Sequence, residues 1–344
     1  MSRIRNKDIA ELVGVSRAAV TQVLNGSRPG CVSAEKRKAI LRIASEHNYR
    51  PDFAAQVLGS GKTRTIGMPL PWMETLSSSL SYGRLLKHLT DQLEKKGYML
   101  TLLPLANDSA EKIRESTDNL LRSRRVDGLI VNLPFLKVSP ESRQETDRTP
   151  VVSISFSSDS AAPFPEISHV GFDCTQALEE LIGRFSTFGK TAVIAAPNPK
   201  NARTKILRAH SELFFASLPA SPYFLHNTAA EAMVFVRKNW QELKKFPCWI
   251  LQNDNFLYGA ACVIREMGLI PGKDILLAGF DDAEENFEKP FFTTVRDPFE
   301  QMAQTCIRLL FDKIEQKERK KTEHVMLSST VIYRDSSLPA NPEI

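Results

Sequence analysis

No apolar run in this chain of 344 residues approaches the roughly 18 to 20 residues that a membrane-spanning helix needs. The opening Met1-Ser2-Arg3-Ile4-Arg5 lacks the apolar core of a secretory signal, so a cytosolic (cytoplasmic) protein is expected. Cysteine is sparse: Cys31, Cys174, Cys248, Cys262 and Cys306 stand apart, with no Cys-x-x-Cys pair. That spacing suggests neither a disulfide framework nor a zinc site, and the thiols are expected to be reduced and structural. His-Glu-x-x-His, Gly-x-Ser-x-Gly and phosphate-loop patterns are missing, and the histidines (His47, His88, His169, His210, His226, His324) are dispersed. No catalytic residue, metal site or cofactor is therefore assigned, and the chain is not expected to be an enzyme. After Val331 there is no leucine heptad. The end from Ser336 to Ile344 is polar and contains proline, which argues against a tetramer held by a C-terminal coiled coil.

Acidic residues are short in one place. Residues 1 to 64 hold only five (Asp8, Glu11, Glu35, Glu46, Asp52) against twelve lysines and arginines, whereas the remainder holds 35 acidic against 33 basic residues. The net charge of +5 is thus an average over a basic head and a near-neutral body. That asymmetry is expected when one module meets phosphate and the other does not; a merely solvated basic face is the alternative.

What the head does contain is a pattern of caps, turns and apolar spacing. Asn6 is placed to cap a helix from Lys7 to Val13, Gly14 permits a sharp turn, and Ser16 is placed to cap a second helix from Arg17 to Leu24, stopped by Asn25-Gly26. Ile9, Leu12, Val15, Val20 and Leu24 are spaced to pack two short helices on a third, and Ala10 lets the two cross closely. The third runs from Ser33, an N-cap with Glu35 in its first turn, to Asn48, ended by Tyr49-Arg50-Pro51. Arg17, Ala18, Thr21 and Gln22 are left facing outward, and these types reach base edges and phosphates. A three-helix bundle that merely has a glycine turn is the competing reading. Asp52 to Leu58, before Gly59-Ser60-Gly61, spans about two helical turns, too short to persist alone in water.

The body alternates strands and helices. Thr65 to Leu70, Met99 to Pro104, Gly128 to Asn132, Val151 to Ser155, Ala192 to Ala196, Cys248 to Leu251 and Ile275 to Gly279 are short apolar or β-branched runs, most followed by a helical stretch. Such alternation implies parallel sheets covered on both faces, and a body of this size is large for one core, so two α/β lobes are expected.

Taken in order, Lys7-Asp8-Ile9-Ala10, Gly14-Val15-Ser16, Val20, Leu24-Asn25-Gly26, Tyr49-Arg50-Pro51, Leu58 and Thr63-Arg64-Thr65-Ile66-Gly67 resemble the LacI/GalR family of bacterial transcription regulators. Asn253-Asp254, Gly279-Phe280-Asp281-Asp282 and Thr293-Thr294-Val295-Arg296 carry the same resemblance near the other end. It implies an N-terminal all-α helix-turn-helix domain over residues 1–50, a hinge helix and linker over 51–64, and a two-lobed effector-binding and dimerisation domain over 65–340. That domain is expected to be α/β and periplasmic-binding-protein-like, with parallel sheets and crossings near residues 166 to 172, 297 and 328. It also implies a homodimer on a pseudo-palindromic double-stranded operator, with Ser16, Arg17, Ala18, Thr21, Gln22, Asn25, Ala55 and Leu58 at the DNA. Leu58 of each subunit would wedge into the central minor groove.

For the cleft, the matched residues are Arg203, Asn253 and Asp281, with Trp72 and Asp173 as weaker additions. A carboxylate, an arginine and an amide together suit vicinal hydroxyls or a polar heterocycle, and the implied effector is a sugar or related metabolite. Asp281 and Arg203 are expected to gain their partners only when ligand arrives, unless Asp281 simply caps a following helix and Trp72 simply packs. The sequence departs from the family at Phe156, where an aspartate is frequent, at Ala209-His210, in the loop Pro69 to Ser81, and at Gln22, where arginine is frequent. A solute-binding protein would share the lobes, but it needs an export signal and has no use for a basic head. A regulator that has lost its ligand, or that answers to a protein partner, stays open.

Overall fold

The computed structural model describes residues 4–25, 32–49, 57, 60–70, 80–104, 110–132, 148–156, 166–196, 202–218, 228–315 and 322–338. Ala55, Leu58 and Trp72 lie outside them, as does the side chain of Asn25. The chain divides into two compact units, Met1–Thr63 and Arg64–Ile344.

In the first unit α1 (Asn6–Val13), α2 (Arg17–Asn25) and α3 (Ala34–Glu46) enclose Ile9, Ala10, Val20, Val23, Ile40 and Ala44. Gly14 ends α1 in the left-handed region at φ 67°, a conformation that costs glycine nothing, and the Ser16 hydroxyl accepts from Ala19 N at 3.1 Å to start α2. Ser33 caps α3 through Lys36 N. Two expectations fail here. The N-cap of α1 is Arg5, not Asn6: the Asp8 carboxylate accepts from Arg5 N at 2.8 Å, a backbone bond that also holds the Asp8 pKa below its ordinary value. Asn6 instead donates from Nδ2 to Thr21 Oγ1 at 2.7 Å, tying α1 to α2. Leu12 is 66 % exposed, and Val23 fills the core in its place. Helical period alone did not separate two neighbouring apolar stripes.

The second unit opens with a lobe containing β1 (Thr65–Leu70), α4 (Leu80–Glu94), β2 (Met99–Pro104), α5 (Ala110–Ser123), β3 (Gly128–Asn132), β4 (Val151–Ile154) and β5 (Ser168–Asp173). A second lobe follows: α6 (Thr175–Ser186), β6 (Thr191–Ala195), α7 (Ala202–Ala209), β7 (Phe214–Ser217), α8 (Ala229–Lys238), α9 (Trp240–Leu243), β8 (Cys248–Leu251), α10 (Asp254–Glu266), β9 (Leu276–Phe280) and β10 (Thr293–Arg296). The chain then returns to the first lobe for α11 (Phe299–Ile314) and β11 (His324–Ser328), and leaves it again for β12 (Thr330–Ile332).

The first sheet runs β11-β5-β4-β3-β1-β2, all parallel. The second runs β12-β10-β9-β8-β6-β7, parallel except for β12, which is antiparallel to β10. Both faces are covered, which is why the inner strands read as unbroken apolar runs. Leu85, Leu89, Met302 and Leu310 close one face of the first sheet; Val236, Phe256 and Ala260 close one face of the second and Leu178, Leu181 and Phe185 the other. The crossings fall at Asp173–Cys174, Asp297 and Ser329, so the first comes just after the expected stretch, because Ser168–Asp173 is itself a strand of the first sheet. Among the described residues no helix is long and apolar enough to cross a membrane, and no cluster of ligating side chains could hold a metal ion. Cys174, Cys248 and Cys306 are buried with free thiols, whereas Cys262 is exposed, against the expectation of a structural role for every cysteine.

One histidine sits inside the first sheet. His169 on β5 is 1 % exposed, with Nδ1 3.0 Å from Ser153 Oγ and Nε2 3.1 Å from Ser155 Oγ. Burial, helped by the nearby His324, depresses its pKa to about 4 from 6.5. Because the folded value lies below the unfolded one, the stability this ring contributes is present above the unfolded pKa and is lost as pH falls through the folded value. We expect roughly 3 kcal/mol to disappear between about pH 6.5 and 4. Denaturant titrations of wild type and His169→Gln across that window should give a flatter profile for the variant; parallel profiles would show that His169 is not responsible.

Candidate nucleic-acid interface and ligand cleft

On the first unit, Arg17 and Ala18 open α2 on an exposed face, immediately after the Gly14 turn and the Ser16 cap. The N-terminus of α2 carries unpaired backbone N–H groups and a partial positive charge, the end of a helix that favours an anionic backbone such as that of DNA. Thr21 and Gln22 lie one turn further and are half-buried. Thr21 is already engaged: it donates to Arg17 O at 3.0 Å while accepting from Asn6. It therefore braces the helix pair, while Arg17 and Ala18 stay exposed beside it. Lys36 donates to Gly14 O at 3.0 Å and fixes the turn against α3.

In the second unit, residues following the strands converge between the lobes. Ser81, in the first turn of α4, donates to Asp281 Oδ1 at 2.7 Å, and Arg84, one turn on, donates to the Asp282 carbonyl and lies 3.4 Å from Glu285. Since α4 follows β1 and Asp281 follows β9, the carboxyl ends of the two sheets face one another, the position at which open α/β sheets bind ligands.

Asp281 and Asp282 are in the left-handed region at φ 88° and 52°, a cost of order 1–3 kcal/mol each that surrounding contacts must offset. Those contacts are strong. The Asp282 carboxylate, fully buried, accepts from Arg296 at 2.5 Å and from Arg334 at 2.6 Å, and its N–H donates to Thr294 Oγ1 at 3.1 Å. Arg203, second residue of α7, pairs with Asp297 at the second crossing, lies 3.7 Å from Asp281 and stacks over the Phe280 ring at 4.4 Å. Burial works against its charge, but Asp297 and Asp281 hold its pKa above the ordinary value. Asp297 is itself raised, burial outweighing Arg203, and accepts from Ser329 Oγ at 2.7 Å. Ser329 N in turn donates to the Asp173 carbonyl at 2.9 Å, so Arg203 and Asp297 help to join the crossings of the hinge.

The sequence-predicted residues divide accordingly. Arg203 and Asp281 are brought together, but both already have protein partners, contrary to the expectation that these come only with ligand. No helix starts between Asp281 and β10, so capping does not explain it. Asn253 is an N-cap: its Oδ1 accepts from Phe256 N at 2.8 Å to start α10. Asp173 accepts from the Thr175 N–H and hydroxyl and turns the chain into α6. Phe156 packs among Tyr82, Phe172 and Phe299 after β4, giving the first lobe an aromatic wall there. Sequence reasoning missed Ser81, Arg84, Asp254, Asp282, Asp297 and Arg334. Asp254 is 1 % exposed and accepts from Ala283 N at 2.8 Å and from Thr294. Its Oδ1 lies 2.2 Å from where a Cβ on Gly279 would stand, which is why that strand carries glycine. Asp254 and Asp282 stood beside residues singled out in the sequence; nothing local marked Ser81 or Arg84.

Comparison with known proteins agrees with this architecture. Residues 7–52 match the bacterial regulatory proteins of the lacI family, and residues 207–337 match a periplasmic binding protein-like domain. The catabolite repressor/activator of Escherichia coli strain K12 is 26 % identical over 80 % of this chain and 82 % of its own length. The HTH-type transcriptional repressor PurR of Vibrio parahaemolyticus is 26 % identical over 95 % of this chain and 96 % of its own. Among solved structures, the lac repressor dimer bound to operator and the anti-inducer ONPF superposes with a TM-score of 0.71 at 20 % identity, covering 98 % of this chain and all of that one. The chain thus carries a lacI-family helix-turn-helix domain followed in sequence by a periplasmic binding protein-like domain.

Proposed function

We propose that this chain is a sequence-specific DNA-binding transcriptional regulator, acting as a repressor, whose operator affinity is set by a small molecule bound between the lobes. The observation that carries the first half is the exposed start of α2, with Arg17 and Ala18 free behind a rigid glycine turn, in a segment where basic residues outnumber acidic ones twelve to five. Each such helix would enter the major groove of one half-site, and a homodimer would match a pseudo-palindromic operator. The residues from Asp52 to Leu58 would fold as hinge helices only on DNA, with Leu58 as the wedge. The lac repressor relative is a dimer on operator with a small molecule bound, which supports both halves of the reading. A sugar or related metabolite suits Asp281 and Arg203, which combine an acceptor with a fork of donors.

Selection from randomised duplexes by the full chain should return a pseudo-palindrome, and Arg17→Ala should weaken the selected site by about 1–3 kcal/mol. Recovery of no consensus would overturn the reading. In effector titrations by calorimetry, Asp281→Ala should lose the response while keeping operator affinity; wild-type affinity would remove Asp281 from the cleft.

A further inference from the structure

We propose that Ser81 is a specificity-determining residue of the cleft: its hydroxyl holds, on Asp281, the place of an uncharged hydroxyl donor, and molecules carrying a phosphate are refused. The inference rests on the reading of the cleft as an effector site and adds to it the class of molecule admitted.

Asp281 Oδ1 is satisfied by a neutral hydroxyl from the opposite lobe at 2.7 Å. An incoming molecule must offer at least an equivalent donor, and Ser81 must let go before it does. An anion would instead seek an unpaired cation, and among the described residues each arginine around this turn already has an acidic partner. Arg203 has Asp297 and Asp281. Arg84 lies against Glu285. Arg296 and Arg334 share the single carboxylate of Asp282. A phosphate at this turn would therefore meet carboxylates whose counter-charges are already taken, in surroundings where like charges are poorly screened. The same crowding leaves a hydroxyl welcome, because it brings a donor and no charge. The Ser81–Asp281 bond also spans the lobes, so a molecule that displaces it alters the contact between them.

The test uses the full chain and paired probes: D-glucose with its 6-phosphate, D-ribose with its 5-phosphate, and cellobiose, by thermal shift and calorimetry. We expect a neutral saccharide to bind, with its phosphate ester at least about tenfold weaker. Ser81→Ala should tighten the neutral compound about tenfold, the equivalent of one hydrogen bond to a charged acceptor. Ser81→Thr, which keeps the hydroxyl, should behave as wild type. A phosphate ester that binds more tightly than its parent would overturn the proposal, as would an unchanged or weakened affinity in Ser81→Ala. Absence of binding by every neutral probe, in a chain that still selects a DNA consensus, would overturn it too and leave the regulator reading standing. Loss of DNA selection itself would sink that reading instead.

Discussion

Asp282→Ala is expected to destabilise the unit from Arg64 to Ile344 by about 3–5 kcal/mol, the cost typical of removing one partner from a buried ion network. The carboxylate is fully buried and serves two arginines, of which Arg334 is only 8 % exposed. Arg334 also donates to the Phe292 carbonyl at 3.0 Å, so it cannot swing to solvent without giving up that bond. Without Asp282 its charge stays buried against a strained turn whose φ of 52° needs support. Urea titration of wild type and variant gives the comparison, with Asp282→Asn as the milder change because its amide oxygen can still accept from one arginine. A midpoint for Asp282→Ala within error of wild type would show that solvent or a relaxed turn compensates both guanidiniums.

Gln22→Arg is expected to move the base preference of the selected DNA by about 2–6 kcal/mol when two half-sites add, at roughly 1–3 kcal/mol for each bidentate contact. Gln22 lies on α2 one turn beyond Arg17 and Ala18. A glutamine amide offers one donor and one acceptor, the complement of adenine N6 and N7, whereas arginine suits guanine O6 and N7. Wild type should therefore prefer an A·T pair at one symmetry-related position in each half-site, and the variant G·C. Arg17 can still supply guanine contacts elsewhere, so a partly G·C-rich site is compatible with this. Identical consensus sequences from randomised-site selection would show that Gln22 faces phosphate or solvent.

Both predictions concern residues whose visibility in the sequence differs. Gln22 stood out because the helix carrying it is punctuated locally: Gly14 and Ser16 start it, and the buried Val20 and Val23 fix which side turns inward. Asp282 appeared only as one letter of Gly279-Phe280-Asp281-Asp282, and its two arginines come from β10 and from beyond β12. The strands missed from sequence fail for a related reason. Ser168–Asp173 is interrupted by Ser168, His169 and Gly171, and it is a buried strand only because Ser153 and Ser155 of the neighbouring β4 segment receive the histidine ring. Leu12 shows the converse error, an apolar residue at a plausible helical spacing that the packing left outside.

By itself the sequence determined the local alternation of strand and helix, the two-part division into a basic head and an α/β body, and the turn-linked helix pair of the head. These follow from periodicity, caps and glycine placement, which act over a few residues and need no knowledge of distant neighbours. Only the tertiary structure decided which acid meets which arginine. Ser81 and Asp281, or Arg203 and Asp297, are remote in sequence and approach only when both sheets are wound and their carboxyl ends face each other. Electrostatic partners are chosen by distance and burial in the folded chain, and neither can be read from spacing along it.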